Sequence, residues 1–184
     1  GRIYGYKNIP SQELPSIENV SFSKEFHYLT SIKKLLVENG YSEVYTRSFQ
    51  PEGELEMSNP VAQDRPYLRN KIDLSGVFEI NTRNKDLLGL DEIKIFEIGR
   101  IFDKDANEKL VLSLKSEKPP KEDILKDFGI DLNSDEVQID LDEIIKKLPE
   151  IVSYDDLGFV KNEAKQYKTF SQYPFIVRDV AVWV

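Results

Sequence analysis

The stretch IFEIGRIF, residues 95–102, decides the fold of this chain because apolar side chains occupy both of its alternating sets. Its two charged residues are Glu97 and Arg100. A strand with one solvated face alternates apolar and polar residues, whereas a strand covered on both faces is apolar throughout. We therefore predict a central strand over residues 93–102, and we expect it to form the core of the domain.

A long helix and a second strand are predicted before this stretch. Ser23 can cap the start of the helix, and Gly40 can end it in a left-handed conformation. Between them, apolar residues recur at helical spacing. These residues are Phe26, Leu29, Ile32, Leu35 and Leu36. Residues 41–49 then alternate β-branched or aromatic residues with polar ones, which predicts a half-buried strand of an antiparallel sheet.

Two shorter elements are predicted between that strand and the central one. Residues 57–69 favour a loop-interrupted strand pair, whose regularity Pro60 and Pro66 limit. Residues 73–84 carry apolar residues on one helical face, and Asp73 can cap that helix.

After the central strand, we predict a short strand over residues 110–114 and a short helix that ends before Gly129. Residues 137–141 alternate as a strand that runs into a helix, which Asp140 or Asp142 can cap. The predicted fold class is therefore α+β, an antiparallel sheet flanked by helices.

Composition excludes several classes of protein. The 184 residues are 40% hydrophobic, which argues for a folded domain, and 33 acidic against 25 basic residues give a formal net charge of −8. Such a field repels a phosphate backbone unless the basic groups gather on one face. The chain has no cysteine, which excludes disulfides and zinc–thiolate sites. No apolar run is long enough for a membrane helix; we expect a cytoplasmic protein.

Three strings in this order resemble the β subunit of bacterial phenylalanyl-tRNA synthetase. They are RIYGYKNIP at residues 2–10, IFEIGRIF at residues 95–102 and YPFIVRDVAVWV at residues 173–184. The string EVYTRSF at residues 43–49, the Asn59-Pro60 corner and the Leu68-Arg69 pair add to the likeness. The resemblance implies a degenerate class II aminoacyl-tRNA synthetase-like module, and both ends are expected to be cuts in a longer chain.

The resemblance also implies three segments. Residues 1–10 would be the tail end of a preceding helical DNA-binding-like domain, and residues 11–150 the class II synthetase-like noncatalytic core. Residues 151–184 would be a linker and the opening strand of a truncated ferredoxin-like anticodon-binding domain. The magnesium ligands of the family are expected upstream of Gly1, so no metal site is expected within the chain.

The function implied is that of a structural, noncatalytic core that supports assembly with the α subunit. The whole enzyme, a heterotetramer, would use ATP and Mg²⁺ to charge tRNA(Phe) with phenylalanine, and it would meet that tRNA through the complete β chain. We expect this chain alone to be inactive, with no catalytic or cofactor-binding residue of its own. The α subunit is the expected partner, and the first helix, through Phe26, Leu29, Ile32 and Leu36, is the expected interface.

The sequence lacks one element that class II chemistry needs. The third motif of such an active site is a GxGxxR-like string, in which glycines let the backbone approach the nucleotide. No two of the nine glycines are two positions apart. Arg69 and Arg100 stand where a catalytic relative could keep phosphate-binding arginines, yet we expect them to be paired with carboxylates. Glu97 would point away from Arg100 in an ideal strand.

Other candidate residues favour ordinary structural roles. His27 is the only histidine; without cysteine or a second histidine, we expect a helix-surface or interface residue. The acidic groups of Asp155-Asp156 and of residues 52–56 are expected to be solvated. The aromatic rings of RIYGYKNIP and GYSEVYTRSF are expected to pack in the core more than to stack on bases.

Two hypotheses from other classes stay open at this point. One is an independent adenylating ligase, which pyrophosphate exchange by the isolated chain would establish. The other is a stand-alone tRNA-binding module, which salt-dependent binding to tRNA would support. It is motivated by Arg47, Arg65, Arg69, Arg83 and Arg100.

Overall fold

The computed structural model describes residues 2–13, 21–120, 123–132, 134–157, 169 and 172–173. The helices of these residues are α1 (Lys24–Glu38), α2 (Ser75–Arg83), α3 (Lys85–Leu88) and α4 (Leu141–Lys147). The strands are β1 (Ser42–Glu43), β2 (Phe49–Gln50), β3 (Leu55–Glu56), β4 (Tyr67–Leu68), β5 (Lys94–Phe102), β6 (Glu108–Ser116) and β7 (Glu136–Asp140). Short 3₁₀ helices cover Tyr6–Asn8, Lys126–Phe128 and Asp155–Leu157.

The larger sheet has four strands in the order β1-β5-β6-β7. Strands β5, β6 and β7 are antiparallel neighbours, but β1 runs parallel to β5. The prediction of an antiparallel sheet is therefore wrong at this edge, and the sheet is mixed. The physical reason is the long connection from β1 to β5, through the smaller sheet and two helices, which returns the chain to the end of the sheet where β1 began.

The smaller sheet has the order β2-β4-β3, with both pairs antiparallel. It replaces the continuous strand predicted over residues 41–49, which is wrong: the chain leaves the larger sheet after β1 and enters the smaller one at β2. The cause is Thr46, whose backbone N–H donates to the Glu97 carboxylate at 2.8 Å instead of to a neighbouring strand. Of the strand pair predicted over residues 57–69, only β4 lies within that range, and its partner β3 comes before it at Leu55–Glu56.

Helix α1 forms as predicted, and Ser23 and Gly40 act at its two ends as expected. The Ser23 hydroxyl accepts from the backbone N–H of Phe26 at 3.2 Å, and Gly40 adopts a left-handed φ of 83°. The helix buries Tyr28, Ile32 and Leu36 against the sheet.

The cap of α2 differs from its prediction, whereas the ends of α4 and of the short helix before Gly129 agree with theirs. Leu74 occupies the N-cap position of α2, and the Asp73 carboxylate accepts from the backbone N–H of Ser75 at 2.9 Å. That hydrogen bond holds the pKa of Asp73 below its usual value. Asp140 caps α4 by accepting from the N–H of Glu143 at 3.2 Å. Gly129 follows the short helix with a φ of 71°, as predicted.

Strand β5 is covered on both faces, which confirms its predicted position. Phe96 and Ile98 join the larger core with α1, α4 and the segment 124–132. Ile95 joins a second cluster with Ile72 and Leu74. The predicted short strand over residues 110–114 is longer in the structure, because β6 matches β5 residue for residue from Lys94–Ser116 to Phe102–Glu108.

The segment after α4 lies against α1 instead of running free. The Tyr28 hydroxyl donates to the Pro149 carbonyl at 2.9 Å, and Lys24 Nζ lies 3.0 Å from a Glu150 oxygen. The first residues of the predicted linker also contact the core, since Ile151 packs against it and Leu157 is buried. Its remainder over 158–168 and the predicted terminal strand over 174–184 lie outside the described residues.

Replacing Leu36 with alanine should remove about 2–5 kcal/mol of folding free energy, because Leu36 is fully buried between α1 and the sheet. Urea unfolding followed by circular dichroism measures the change. The control is Val37→Ala, one position along the same helix at a residue that is 58% exposed, which should cost far less. Equal losses for the two variants would contradict the packing described for α1.

Candidate functional site

Arg69, one of the two arginines that a phosphate site would need, is held inside the protein. It follows β4, its backbone N–H donates to the Ser48 carbonyl at 2.9 Å, and its own carbonyl accepts from the Phe102 N–H at 2.9 Å. These bonds link the end of the smaller sheet to the end of β5. The residue is only 5% exposed.

The guanidinium of Arg69 makes three hydrogen bonds inside the protein. Its Nη1 lies 2.6 Å from Glu97 Oε1 and donates to the Thr46 hydroxyl at 3.1 Å, while its Nε donates to the Arg100 carbonyl at 2.9 Å. The other Glu97 oxygen accepts from the Thr46 N–H. Both side chains of the ion pair are almost fully buried, at 6% and 2% exposure. We call Arg69, Glu97 and Thr46 the clamp.

Gly99 makes room for the clamp. A Cβ atom at this position would overlap Arg69 Nη2 and would lie 3.2 Å from Glu97 Oε1. The glycine in IFEIGRIF is therefore required by the close approach of the guanidinium to the strand.

The clamp cannot serve as a phosphate-binding group in the arrangement observed. Because the buried Arg69 is paired with a carboxylate, the pair has no net charge to attract a phosphate, which would have to displace Glu97 from the Arg69 guanidinium and the Thr46 N–H. The expectation that Arg69 has a structural partner is confirmed. The identity of that partner was missed: sequence reasoning weighed Glu97 only against Arg100.

Arg100, the second arginine, lies at the surface. Its guanidinium is 3.7 Å from a Glu25 oxygen and 3.4 Å from a Glu108 oxygen, and the side chain is 43% exposed. The predicted pairing with carboxylates is confirmed here too. Exposed pairs of this length contribute about 0–1 kcal/mol each.

His27 is buried, so the helix-surface alternative of its prediction is wrong, and the interface alternative stays a prediction. The side chain is buried because the segment Tyr154–Leu157 folds over it: the Tyr154 ring stacks at 6.4 Å between centroids, and Asp156 Oδ2 lies 3.4 Å from His27 Nε2. Its Nδ1 has no hydrogen-bond partner within the described part of the chain. No group of three or more His, Cys, Asp or Glu residues in that part could hold a metal ion.

The four predicted interface residues divide into two kinds. Ile32 and Leu36 are fully buried in the chain's own core, since they face the sheet, and they have no surface to offer a partner. Phe26 is 48% exposed beside Tyr154, and Leu29 packs at the margin of the core. An interface on α1 stays a prediction, and of its four predicted residues only Phe26 and Leu29 have exposed surface to form it.

The aromatic strings were expected to pack in the core, which holds for Tyr41 and is wrong for their other rings. Tyr41 is 3% exposed, and its burial raises the pKa of the hydroxyl. Large exposed fractions are found for Tyr4, Tyr6, Tyr45 and Phe49. Tyr45 faces solvent because its neighbour Thr46 is fixed in the clamp.

The five arginines of the tRNA hypothesis do not share one arrangement. Arg69 is buried in the clamp, where it pairs with Glu97. Arg83 pairs with Glu79. Arg100 pairs with Glu25 and Glu108. Arg65 lies 3.6 Å from the neighbouring Asp64. Arg47 is exposed and has no carboxylate partner in the part of the chain that the structure describes.

None of the described helices has the length and apolar character needed to cross a membrane.

Replacing Glu97 with glutamine should destabilise the protein by about 3–5 kcal/mol, because Arg69 would remain buried without its counter-charge. The double variant Arg69→Met/Glu97→Leu should recover most of that loss, since it removes both charges. Urea unfolding measures all variants. The surface variant Glu108→Gln is the control and should cost less than about 1 kcal/mol; an equal cost for Glu97→Gln would show that the clamp is not buried in solution.

Replacing Gly99 with alanine should cost about 1–3 kcal/mol, because the added methyl group must push the Arg69 guanidinium out of place. Thermal unfolding by calorimetry measures this loss. Gly76→Ala, at a position where an added Cβ meets nothing within 4 Å, is the matched control and should be neutral or stabilising. A Gly99→Ala protein as stable as the wild type would mean that the strand and the guanidinium are not in close contact.

Comparison with known proteins gives one family. The family model described as the phenylalanyl tRNA synthetase beta chain CLM domain matches residues 9–124. The phenylalanine–tRNA ligase beta subunit of Rickettsia typhi is 30% identical over 112 residues, which are 55% of this chain and 14% of that protein. The beta subunit of Vibrio cholerae is 31% identical over 117 residues, 58% of this chain and 14% of that protein. The beta subunit of Carboxydothermus hydrogenoformans is 25% identical over 122 residues, with shares of 58% and 15%.

Proposed function

Because the chain belongs to the phenylalanyl-tRNA synthetase beta chain CLM domain family, we propose that it is the structural, noncatalytic core of the β subunit of a phenylalanine–tRNA ligase. The matched segment is about a seventh of the length of the curated relatives, at 14% for the first of them. The activity of the whole enzyme is therefore part of the proposal.

The clamp is the observation that supports this role most directly. A catalytic site for adenylate formation needs cationic groups aimed at the phosphates, and losing one oriented donor costs a rate factor of about 10²–10³. In this chain Arg69 is buried and neutralised by Glu97 at 2.6 Å. The other arginine, Arg100, lies between Glu25 and Glu108. The absence of a GxGxxR-like string in the sequence points the same way.

The chemistry then belongs to a partner. We propose that the α subunit binds ATP, Mg²⁺ and phenylalanine, that tRNA(Phe) is held through the complete β chain, and that the assembled heterotetramer works in the cytoplasm. The chain would be divided as the resemblance implies, with residues 1–10 ending a helical domain, residues 11–150 forming the class II synthetase-like core, and residues 151–184 leading to an anticodon-binding domain.

Helix α1 offers one contact for that partner. Phe26 is half exposed at its first turn, and Leu29 lies one turn further along at the margin of the core. Residues three apart lie on the same side of a helix, so these two side chains can meet a second helix together.

The proposal predicts that pyrophosphate exchange with phenylalanine and ATP is absent for the chain alone and that the chain co-purifies with the α subunit of the same organism. The double variant Phe26→Ser/Leu29→Ser should weaken that association about tenfold, the scale of one hot spot in an interface. Lys34→Ser on the same helix, at an exposed residue, is the control and should bind as the wild type does.

Two results would contradict the proposal. Exchange activity of the isolated chain would establish an independent adenylating ligase. Failure of the wild-type chain to bind the α subunit, with salt-dependent binding to tRNA instead, would favour the stand-alone tRNA-binding module.

A further inference from the structure

A cavity of about 390 Å³ lies where helix α1 ends and strand β5 begins. Pockets that bind small molecules have volumes of about 300–1,000 Å³, so this cavity can hold a small ligand. We call it the Tyr41 cavity, after the tyrosine in its wall. The wall also carries four charged residues, which are Glu38, Glu92, Lys94 and Lys118.

Two buried polar atoms of the lining residues have no hydrogen-bond partner within the described part of the chain. They are the Tyr41 hydroxyl and Glu92 Oε1, and the third such atom in that part is His27 Nδ1. Buried polar groups are nearly always hydrogen-bonded, because one without a partner costs free energy. Two of them around one cavity therefore indicate that a ligand or ordered water molecules bond to them there.

The oxygen atoms of Tyr41 and Glu92 are placed to accept hydrogen bonds. Burial raises the pKa of the Tyr41 hydroxyl, which keeps the group neutral at physiological pH. The neighbouring Ser116 hydroxyl donates its proton to the Lys118 carbonyl at 2.6 Å and so has none for Tyr41. Glu92 Oε2 lies 3.1 Å from Lys94 Nζ, which leaves Oε1 without a donor. A ligand ammonium, with three N–H groups, can serve both acceptors.

The charges around the cavity balance. Glu92 and Lys94 form an ion pair, while Glu38 and Lys118 are exposed and have no ion-pair partner among the described residues. Two positive and two negative groups suit a ligand that carries both signs and is neutral overall. Lys118 is the cation with no carboxylate of its own, so it is the group that a ligand carboxylate would meet.

The rest of the wall is apolar. Pro119, Pro120 and Ile124 line it. Such surface favours an apolar group on the ligand, because burying that group removes its hydrocarbon surface from water. A cavity with two free acceptors, a free cation and an apolar side matches the three parts of an apolar amino acid.

We propose that the Tyr41 cavity binds a free α-amino acid with an apolar side chain. The ammonium of the ligand donates to Glu92 Oε1 and the Tyr41 hydroxyl, its carboxylate pairs with Lys118, and its side chain packs on the apolar wall. Every group of the site comes from this chain, so binding does not depend on the proposed assembly with an α subunit.

Simple ions fit the cavity less well. A metal ion would meet two lysines, and no group of three or more His, Cys, Asp or Glu residues in the described part of the chain could hold one. A phosphate would meet the carboxylates of Glu38 and Glu92, which repel it.

The first test uses L-leucine and L-phenylalanine as probes for the whole 184-residue chain, with affinity measured by ligand-observed NMR titration. L-Leucinamide lacks the carboxylate and N-acetyl-L-leucine lacks the ammonium, so each should bind about tenfold more weakly than L-leucine, the scale of one charged hydrogen bond. Equal affinities for the three leucine compounds would overturn the proposal. Absence of binding by both amino acids would overturn it too and would assign the cavity to water.

The second test locates the ligand. Tyr41→Phe should weaken L-leucine binding about tenfold and leave the thermal midpoint of the free protein unchanged or higher, because it removes a buried hydroxyl that has no partner. Tyr28→Phe is the matched control. It removes a hydroxyl that donates to the Pro149 carbonyl at 2.9 Å, so it should lower the thermal midpoint and leave the affinity unchanged.

The role of the free cation is tested in the same way. Lys118→Ser should weaken L-leucine binding about tenfold, whereas Lys104→Ser, which removes the same charge from an exposed residue outside the cavity lining, should not. Both lysines are exposed, so both variants should fold as the wild type does. Wild-type affinity of either Tyr41→Phe or Lys118→Ser for L-leucine would overturn the site.

Discussion

The ion pair between Arg69 and Glu97 is the interaction that ties the parts of this protein together. Arg69 follows a strand of the smaller sheet, Glu97 lies in the middle of the central strand β5, and Thr46 belongs to the segment that joins the two sheets. Burying two charges costs several kcal/mol per ion unless their hydrogen-bonding groups are satisfied. Here the carboxylate and the guanidinium bond to each other and to Thr46, and the guanidinium also donates to the Arg100 carbonyl. The relative position of the two sheets therefore depends on this pair together with the backbone hydrogen bond from Phe102 to Arg69.

The ion pair of Arg69 and Glu97 also determines whether Arg69 can bind a phosphate. An arginine at the base of a cleft can attract a phosphate only while its charge is uncompensated. Glu97 removes that possibility inside the protein, where a mobile phosphate cannot compete with a fixed carboxylate already held by two donors of Thr46 and Arg69. Arg69 is therefore not available to a phosphate in this arrangement, and its charge contributes to the order of the fold instead.

Local pattern predicted the elements whose signals lie within a few residues of each other. The central strand, helix α1 with its Ser23 and Gly40 ends, and the cap at Asp140 follow from periodicity and hydrogen-bonding chemistry. The parallel pairing of β1, the partner of Arg69 and the burial of His27 depend on residues 28 to 129 positions away, such as Asp156 over His27. The strand after α1 is shortened because the Thr46 N–H bonds to the Glu97 carboxylate, 51 positions away. The sequence around Thr46 does not indicate that bond. The separate roles of Ile32 and Phe26 on one apolar helix face are likewise decided by what covers each side.

The clamp also explains why an acidic chain presents a cationic and aromatic groove. Thr46 faces inward and bonds to Glu97 and Arg69, while Tyr45 and Arg47 beside it line the groove between the segment 45–51 and helix α2. Their exposure is thus a consequence of core stability, and it needs no separate stabilisation. If the clamp were loosened, Thr46 could return to a strand and the wall of the groove would lose its order. The interaction that keeps Arg69 from binding a phosphate is therefore also the one that places Tyr45 and Arg47 at the surface.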